Sequence, residues 1–535
     1  PKRPTRAMIC AAFSPDPGLP MTRPAVRFAL LLAFVLVRPA LGERAPDAWA
    51  LIDAMPAPAR LVIVADNLSR TLASPEGDAV RQAIETSGFF GPTIAQWGEL
   101  AQRLDMTPAQ LTDALLGRRV VFLATELTSL IRPDLSGAGD WALILSIPPE
   151  TEKLLRKRLD LTPRSKIGAF PIVAAEHGEY ALALLSMKPT GASAPTTLLI
   201  LTPSRHDALL EPVVRALTRP LETPATAMDA PRPELREDTA LCMRLFTDDA
   251  ATLNLVAHPA PGAWEAELSV EKPADAQTGF GRRPVDPARF DSLAPDALLL
   301  VMESVPDRLV PDRDRSLALT STLVEIPERF LKLMGGRTII RVRRAEENQP
   351  TLELTVASEA TYPGDVVAEG DRAIGALLDP ASSAVPPEGA IEGQYPSAVR
   401  TSTYATDRAT PFGERARAEW AYSPPAGGDP RWWAMRISSN AAPRNGSVRE
   451  LADTLARAPL PEGPHILSMG LIRPSALRSV FREAPWASLP PIAAIARVER
   501  LTWSIQRAPS REGRSLVTGS LRLSFVPGAS PEPDR

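Results

Sequence analysis

Two series of strand-like segments run along this chain in nearly the same order, with amphipathic segments between them. Continuous apolar runs of buried-strand length stand near 61–65, 119–125, 141–147 and 197–202. Residues 170–175 and 180–185 form a hairpin pattern that turns at Glu176-His177-Gly178-Glu179. Further strands are predicted near 240–246, 252–258 and 264–271. Helical periodicity follows the first strand through about 116, begins again at Pro148-Pro149 and runs to about 160, and recurs at about 205–218.

The second series begins with a strand at 297–303 and a helix at about 314–334. Strands near 337–343 and 351–357 precede a helix at 367–379. Paired strands near 398–405 and 415–422 correspond to the hairpin of the first series. A strand at 432–438, a helix at 448–457 and strands near 464–470, 493–506 and 515–526 complete the order. The addition is a helix at about 474–484, where the first series has only Asp248-Asp249-Ala250-Ala251.

Local sequence supports the same reading. Asp53-Ala54-Met55-Pro56, then Ala59 and Leu61 to Val64, matches Asp291-Ser292-Leu293-Ala294-Pro295, then Ala297 and Leu298 to Met302. Shared order over this many elements implies a tandem duplication. In 516–525, Thr518, Ser520, Arg522 and Ser524 form a polar side opposed by Val517, Leu521, Leu523 and Phe525. Such alternation fits an antiparallel sheet with one wet face, and Gly519 within it suggests a bulge. The expected fold is therefore α+β: two tandem, internally duplicated modules of antiparallel sheet packed with helices. Module 1 would span 43–285 and module 2 would span 286–526, with a disordered tail at 527–535. Linkers rich in Pro, Ala and charge stand at 219–238 and 272–288, with Ser and Gly added at 380–394.

The segment 21–42 changes the picture of where the protein works. Met21, Arg23 and Arg27 form a basic start, Phe28 to Val37 is unbroken apolar, and Ala40-Leu41-Gly42 offers small residues for cleavage before Glu43. This is the pattern of a secretory signal peptide. The apolar run is shorter than the roughly 20 residues needed to span a bilayer. The alternative is an uncleaved anchor, since Arg38 follows the run directly. Residues 1–20 have no periodicity and read as a non-native N-terminal extension, with Met21 the initiator. The expected location is the periplasm or cell envelope, with no transmembrane segment in the mature chain.

Charge and composition narrow the function. A net charge of −3 lacks the basic footprint of a nucleic-acid binder. Positive charge is mostly Arg and Pro is abundant at 57 residues, which reads as bacterial codon bias rather than function. Cys242 would be the single thiol of the mature chain, within Ala240-Leu241-Cys242-Met243, and reads as a small buried hydrophobe. His177, His206, His258 and His465 stand at no metal-ligand spacing and read as surface or capping residues. Ser269-Val270-Glu271-Lys272 matches the SxxK pattern of serine acylases, which needs a helical turn, yet it lies in strand alternation.

Asp307, Arg308, Asp312, Arg313, Asp314 and Arg315 form the densest charge cluster, where interleaved arginines oppose cation binding. Trp432-Trp433 would place one indole on each face of a strand, one in the core and one toward solvent or a ligand. Asn67 and Asn445 head glycosylation sequons that carry little meaning in a bacterial protein. No catalytic, metal or cofactor-binding residue is assigned.

Met55-Pro56 with Leu61 to Val64, and Leu115-Leu116-Gly117 before Val120 to Leu123, resemble the recurring phrase of a family of exported bacterial proteins grouped as a domain of unknown function. That resemblance carries no reaction and no site residues. The expected function is non-enzymatic binding or scaffolding with an envelope protein partner. The alternatives are a carrier of an apolar ligand, and a hydrolase whose site assembles only in the fold.

Overall fold

The structure is a computed structural model. It describes residues 48–55, 59–66, 68–72, 74, 77, 98–125, 141–158, 162–167, 170–177, 180–187, 196–203, 211, 213–214, 232–236, 238–246, 252–273, 287–304, 335–345, 351–360, 400–410, 413–422, 431–439, 466–480, 498–511 and 514–525. These fall into two compact units, with the main division between Val214 and Arg232. The chain is mixed α and β, and the ladders described below are antiparallel. No described helix is long and apolar enough to cross a membrane. The signal-like segment, His206, His465, Asn67, Asn445, Asp248-Asp249 and the charge cluster at 306–315 lie outside the described residues. So do the helices expected at 314–334, 367–379 and 448–457.

The first unit holds α1 (Ala48–Ala54), β1 (Leu61–Asp66), α2 (Pro108–Leu116), β2 (Arg119–Ala124), β3 (Trp141–Ile147), α3 (Pro149–Arg158), β4 (Thr162–Ile167), β5 (Phe170–His177), β6 (Tyr180–Met187) and β7 (Thr196–Pro203). Its strands pair in the order β4-β5-β6-β7-β3-β2-β1. β4 is an element the apolar pattern did not reveal, because Pro163, Arg164 and Lys166 interrupt it. β1, β2 and β3 are buried on both faces, which explains their continuous apolar runs in place of alternation.

Local chemistry fixes the helix ends. Thr107 caps α2 in a capping box: its hydroxyl accepts from the Gln110 N–H at 3.2 Å, and the Gln110 side chain accepts from the Thr107 N–H at 2.8 Å. Leu111 and Leu115, four apart, face the core. α3 carries Glu150 and Glu152 in its first turn and Arg156, Lys157 and Arg158 in its last, matching the helix dipole at both ends.

Glu152 also ties α3 to the sheet. It accepts from Arg156 at 2.8 Å, from Ser186 of β6 at 3.2 Å and from Thr197 of β7. Burial pushes the Glu152 carboxyl up, but the Thr197 and Arg156 hydrogen bonds, the Arg156 charge and Ser186 outweigh it, and the net shift is downward. A lowered pKa adds stability above the ordinary glutamate range, and that stability is lost as pH falls through the folded value. Glu152→Gln is expected to cost about 1 kcal/mol at pH 7. The deficit should fade below about pH 4, which urea melts of both proteins across pH 3–7 would measure.

The second unit holds β8 (Leu241–Phe246), β9 (Thr252–Ala260), β10 (Ala263–Pro273), α4 (Pro287–Leu293), β11 (Ala297–Ser304), β12 (Gly335–Arg344), β13 (Leu352–Ala360), β14 (Arg400–Thr410), β15 (Gly413–Tyr422), β16 (Arg431–Ser439), β17 (Ile466–Ile472), α5 (Pro474–Val480), β18 (Val498–Arg511) and β19 (Arg514–Phe525). Its strands pair in the order β8-β9-β10-β19-β18-β17-β11-β12-β13-β16-β15-β14. The order β14-β15-β16-β13-β12-β11 repeats β5-β6-β7-β3-β2-β1 of the first unit. Likewise β17-β18-β19 repeats β8-β9-β10.

Phe290, Leu293 and Ala294 at α4 pack over Leu300, Met302, Ile339, Ala357 and Ala434, so the middle of this sheet has one face covered by a helix. Trp433 is buried on the opposite face. Gly519 marks no bulge: its ladders to Ile505 and Leu268 run without a shift. A Cβ there would lie 2.9 Å from the Ser504 carbonyl oxygen, so close packing is what requires glycine. At Gly470, the Trp503 indole of the neighbouring strand lies across the bare backbone, and its Nε1 donates to Ser468 Oγ at 3.1 Å.

A buried row of charge crosses β12, β13, β16 and β15. Arg343 Nε donates to Glu353 at 2.8 Å, Arg341 lies 3.9 Å from the same carboxylate, and Asp296 reaches Arg343 at 3.2 Å. Arg436 pairs with Glu419 further along the row. Glu353 is 4% exposed, and Arg436 and Glu419 are 6%.

Candidate functional site

Period-two alternation and cross-strand register build a lattice of polar side chains on one face of β10, β19 and β18. Glu265, Glu267 and Ser269 share that face of β10. Arg522, Ser520 and Thr518 stand opposite them on β19. Thr502, Ser504 and Gln506 stand opposite those on β18. Arg232 and Pro233, from the stretch before β8, border the lattice and complete a groove of about 380 Å³.

The charged members are already committed. Arg236 forms an ion pair with Glu267 and donates to His258 Nε2 at 2.9 Å. Arg522 pairs with Glu265 at 2.6 Å, and Glu265 lies 3.4 Å from His258. Because Arg236 can only donate, His258 Nε2 is the acceptor in that contact. The ring's Nδ1 is buried without a partner. His258 is 2% exposed within β9, which corrects its expected surface or capping role. β9 continues through Ala260, so His258 lies inside the strand, paired with Glu265 of β10, and not at its end.

The neutral members are not all committed. Ser269 is 3% exposed, lines the groove, and its Oγ has no hydrogen-bond partner. Directly across the ladder on β9 stands Asn254, 1% exposed, whose Oδ1 accepts from Arg244 at 2.9 Å while its Nδ2 has no partner. Native proteins rarely leave such groups unpaired, because each costs about 1–3 kcal/mol.

The SxxK pattern fails on geometry. The pattern needs one helical turn, whereas Ser269 to Lys272 lie in the extended backbone of strand β10. Cys242 is buried in β8, as expected of a small hydrophobe. His177 is the last residue of β5, paired with Tyr180 beside the hairpin turn. Among the described residues, no cluster of His, Cys, Asp or Glu has the grouping of a metal site.

Sequence reasoning had identified the polar side of 516–525 but missed Asn254, Ser504, Gln506 and Arg236. The available signal was Asn254 itself, a polar residue inside the apolar run Leu253 to Val256. No protein-family model matches the chain, and no curated protein matches it. Among solved structures, crystal forms III and I of TP0453 are similar at 10% and 12% identity, covering 43% and 46% of this chain and 80% and 84% of theirs, with TM-scores of 0.24 and 0.23.

Proposed function

We propose that this chain is an exported, non-enzymatic binding protein of the periplasm or cell envelope, which holds a polar ligand in the β10–β19–β18 groove. The observation that carries this reading is Ser269 Oγ, buried and unpaired in the groove lining. A bound ligand would supply the missing partner. The same groove offers an apolar ligand only Pro233 and Leu268 among its lining side chains, beside Glu267, Ser269, Ser504, Gln506, Thr518 and Ser520, which favours a polar ligand over the apolar-carrier alternative. It also disfavours the hydrolase alternative, since among the described residues no base is hydrogen-bonded to Ser269 Oγ and His258 is held by Arg236.

The binding surface belongs to a duplicated architecture. The repeated strand orders support two copies of one ancestral module, the first ending at β10 and the second at β19. Those two corresponding strands pair antiparallel, which relates them by a local twofold axis. On this reading the groove lies at the seam where the modules join.

Native mass spectrometry of the full chain, purified gently from a bacterial periplasm, tests the binding reading. Wild-type protein should carry an adduct that leaves on denaturation, and Ser269→Val should lose it. Equal apo masses for both proteins would overturn the reading and turn the search toward envelope scaffolding.

A further inference from the structure

Resting on the binding reading above, we infer that the groove's ligand is a small neutral saccharide. The uncommitted groups set the chemistry. Ser269 Oγ, unpaired in the groove lining, can donate or accept. Asn254, whose Nδ2 is also unpaired, stands across the ladder on β9, outside the groove lining. Next in the same transverse row come Thr518 and Gln506, a hydroxyl and an amide. Ser520 and Ser504 add two hydroxyls in the next row on the same face. A ligand dense in groups that both donate and accept matches this lattice, and a polyol ring is such a ligand.

Other classes fit less well. An anion needs a cation not already engaged, yet Arg232 in the lining has an interaction of its own and the nearby Arg236, Arg522 and Arg244 each hold a side-chain partner. A cation finds Glu267 and Glu265 already paired with arginine. An extended peptide would seek free backbone edges, and β10 and β19 are each paired on both sides. The groove volume of about 380 Å³ is near the lower end of small-molecule pockets, which run from about 300 to 1,000 Å³.

Saturation-transfer NMR on the full chain tests this, using neutral hexoses and their disaccharides, sugar phosphates, and the dipeptide Ala-Ala as probes. Neutral saccharides should give transfer signals, weakened at least tenfold in affinity by Ser269→Val and by Gln506→Leu. Ser269→Val should leave the urea midpoint unchanged or raised, because it removes an unpaired buried hydroxyl. That distinguishes lost binding from lost folding. Binding of sugar phosphates or Ala-Ala alone, abolished by Ser269→Val, would overturn the saccharide assignment and leave the binding reading standing. Silence from every probe, together with an adduct-free native mass, would overturn both.

Discussion

Glu353→Ala is expected to destabilise the second unit by about 3–5 kcal/mol, the usual cost of removing one partner from a buried ion pair. The Glu353 carboxylate is the group that Arg343 and Arg341 share, at 2.8 and 3.9 Å. Without it, two mostly buried guanidiniums stand side by side on β12, with the more exposed Asp296 the carboxylate left near them. Arg341 already shows the pressure. Burial pushes its pKa down, the neighbouring Arg343 pushes the same way, and Glu353 and Asp296 oppose them.

Replacing the trio together, as Arg341→Met, Arg343→Met and Glu353→Leu, should recover much of the loss, because apolar residues need no partner. Urea midpoints of the single and triple variants measure the contrast. A single variant within about 0.5 kcal/mol of wild type, the range of ordinary surface changes, would show that the row is solvated in solution.

Gly470→Val is expected to cost about 3 kcal/mol, at the upper end of core overpacking. A Cβ at this position would lie 1.9–2.3 Å from ring atoms of Trp503, so the indole must swing away. Its hydrogen bond to Ser468 would go with it. Glycine is a poor strand residue on its own, and here the aromatic ring replaces the side chain it lacks. The partner test is Trp503→Val. In that background Gly470→Ala should be neutral or stabilising, since alanine restricts the unfolded chain and no longer meets a ring. Thermal melts of wild type, Gly470→Ala, Trp503→Val and the double variant read the coupling directly. Additive losses would remove Trp503 as the reason for the glycine.

These two sites show where sequence reading stops. The strand at 297–303 was legible because eight residues from Ala297 to Ser304 include an unbroken apolar run. The strands at 337–343 and 351–357 were legible too, yet nothing in the pattern put Arg343 against Glu353 and Asp296, since pairing register lies outside any single segment. The same limit applies to the groove. Thr518, Ser520 and Arg522 announced a polar side, and a wet face is the simplest reason for one. Their partners on β10 lie some 250 positions earlier in the chain, so the lattice exists only once that register is known. Asn254 was passed over because one polar residue seldom outweighs the apolar neighbours that define a strand.

The seam between β10 and β19 also sets an order of events. Arg522 and Glu265 meet across 257 positions, and β19 is the last strand in the described chain. A polypeptide made or threaded from its N-terminus completes β9 and β10 long before it can supply β19. During that interval one flank of an 11-residue strand presents open N–H and C=O groups, a template for pairing with any other chain. Non-local pairing of this kind closes slowly. The chain's greatest exposure to aggregation therefore falls in the time between making its middle and making its end.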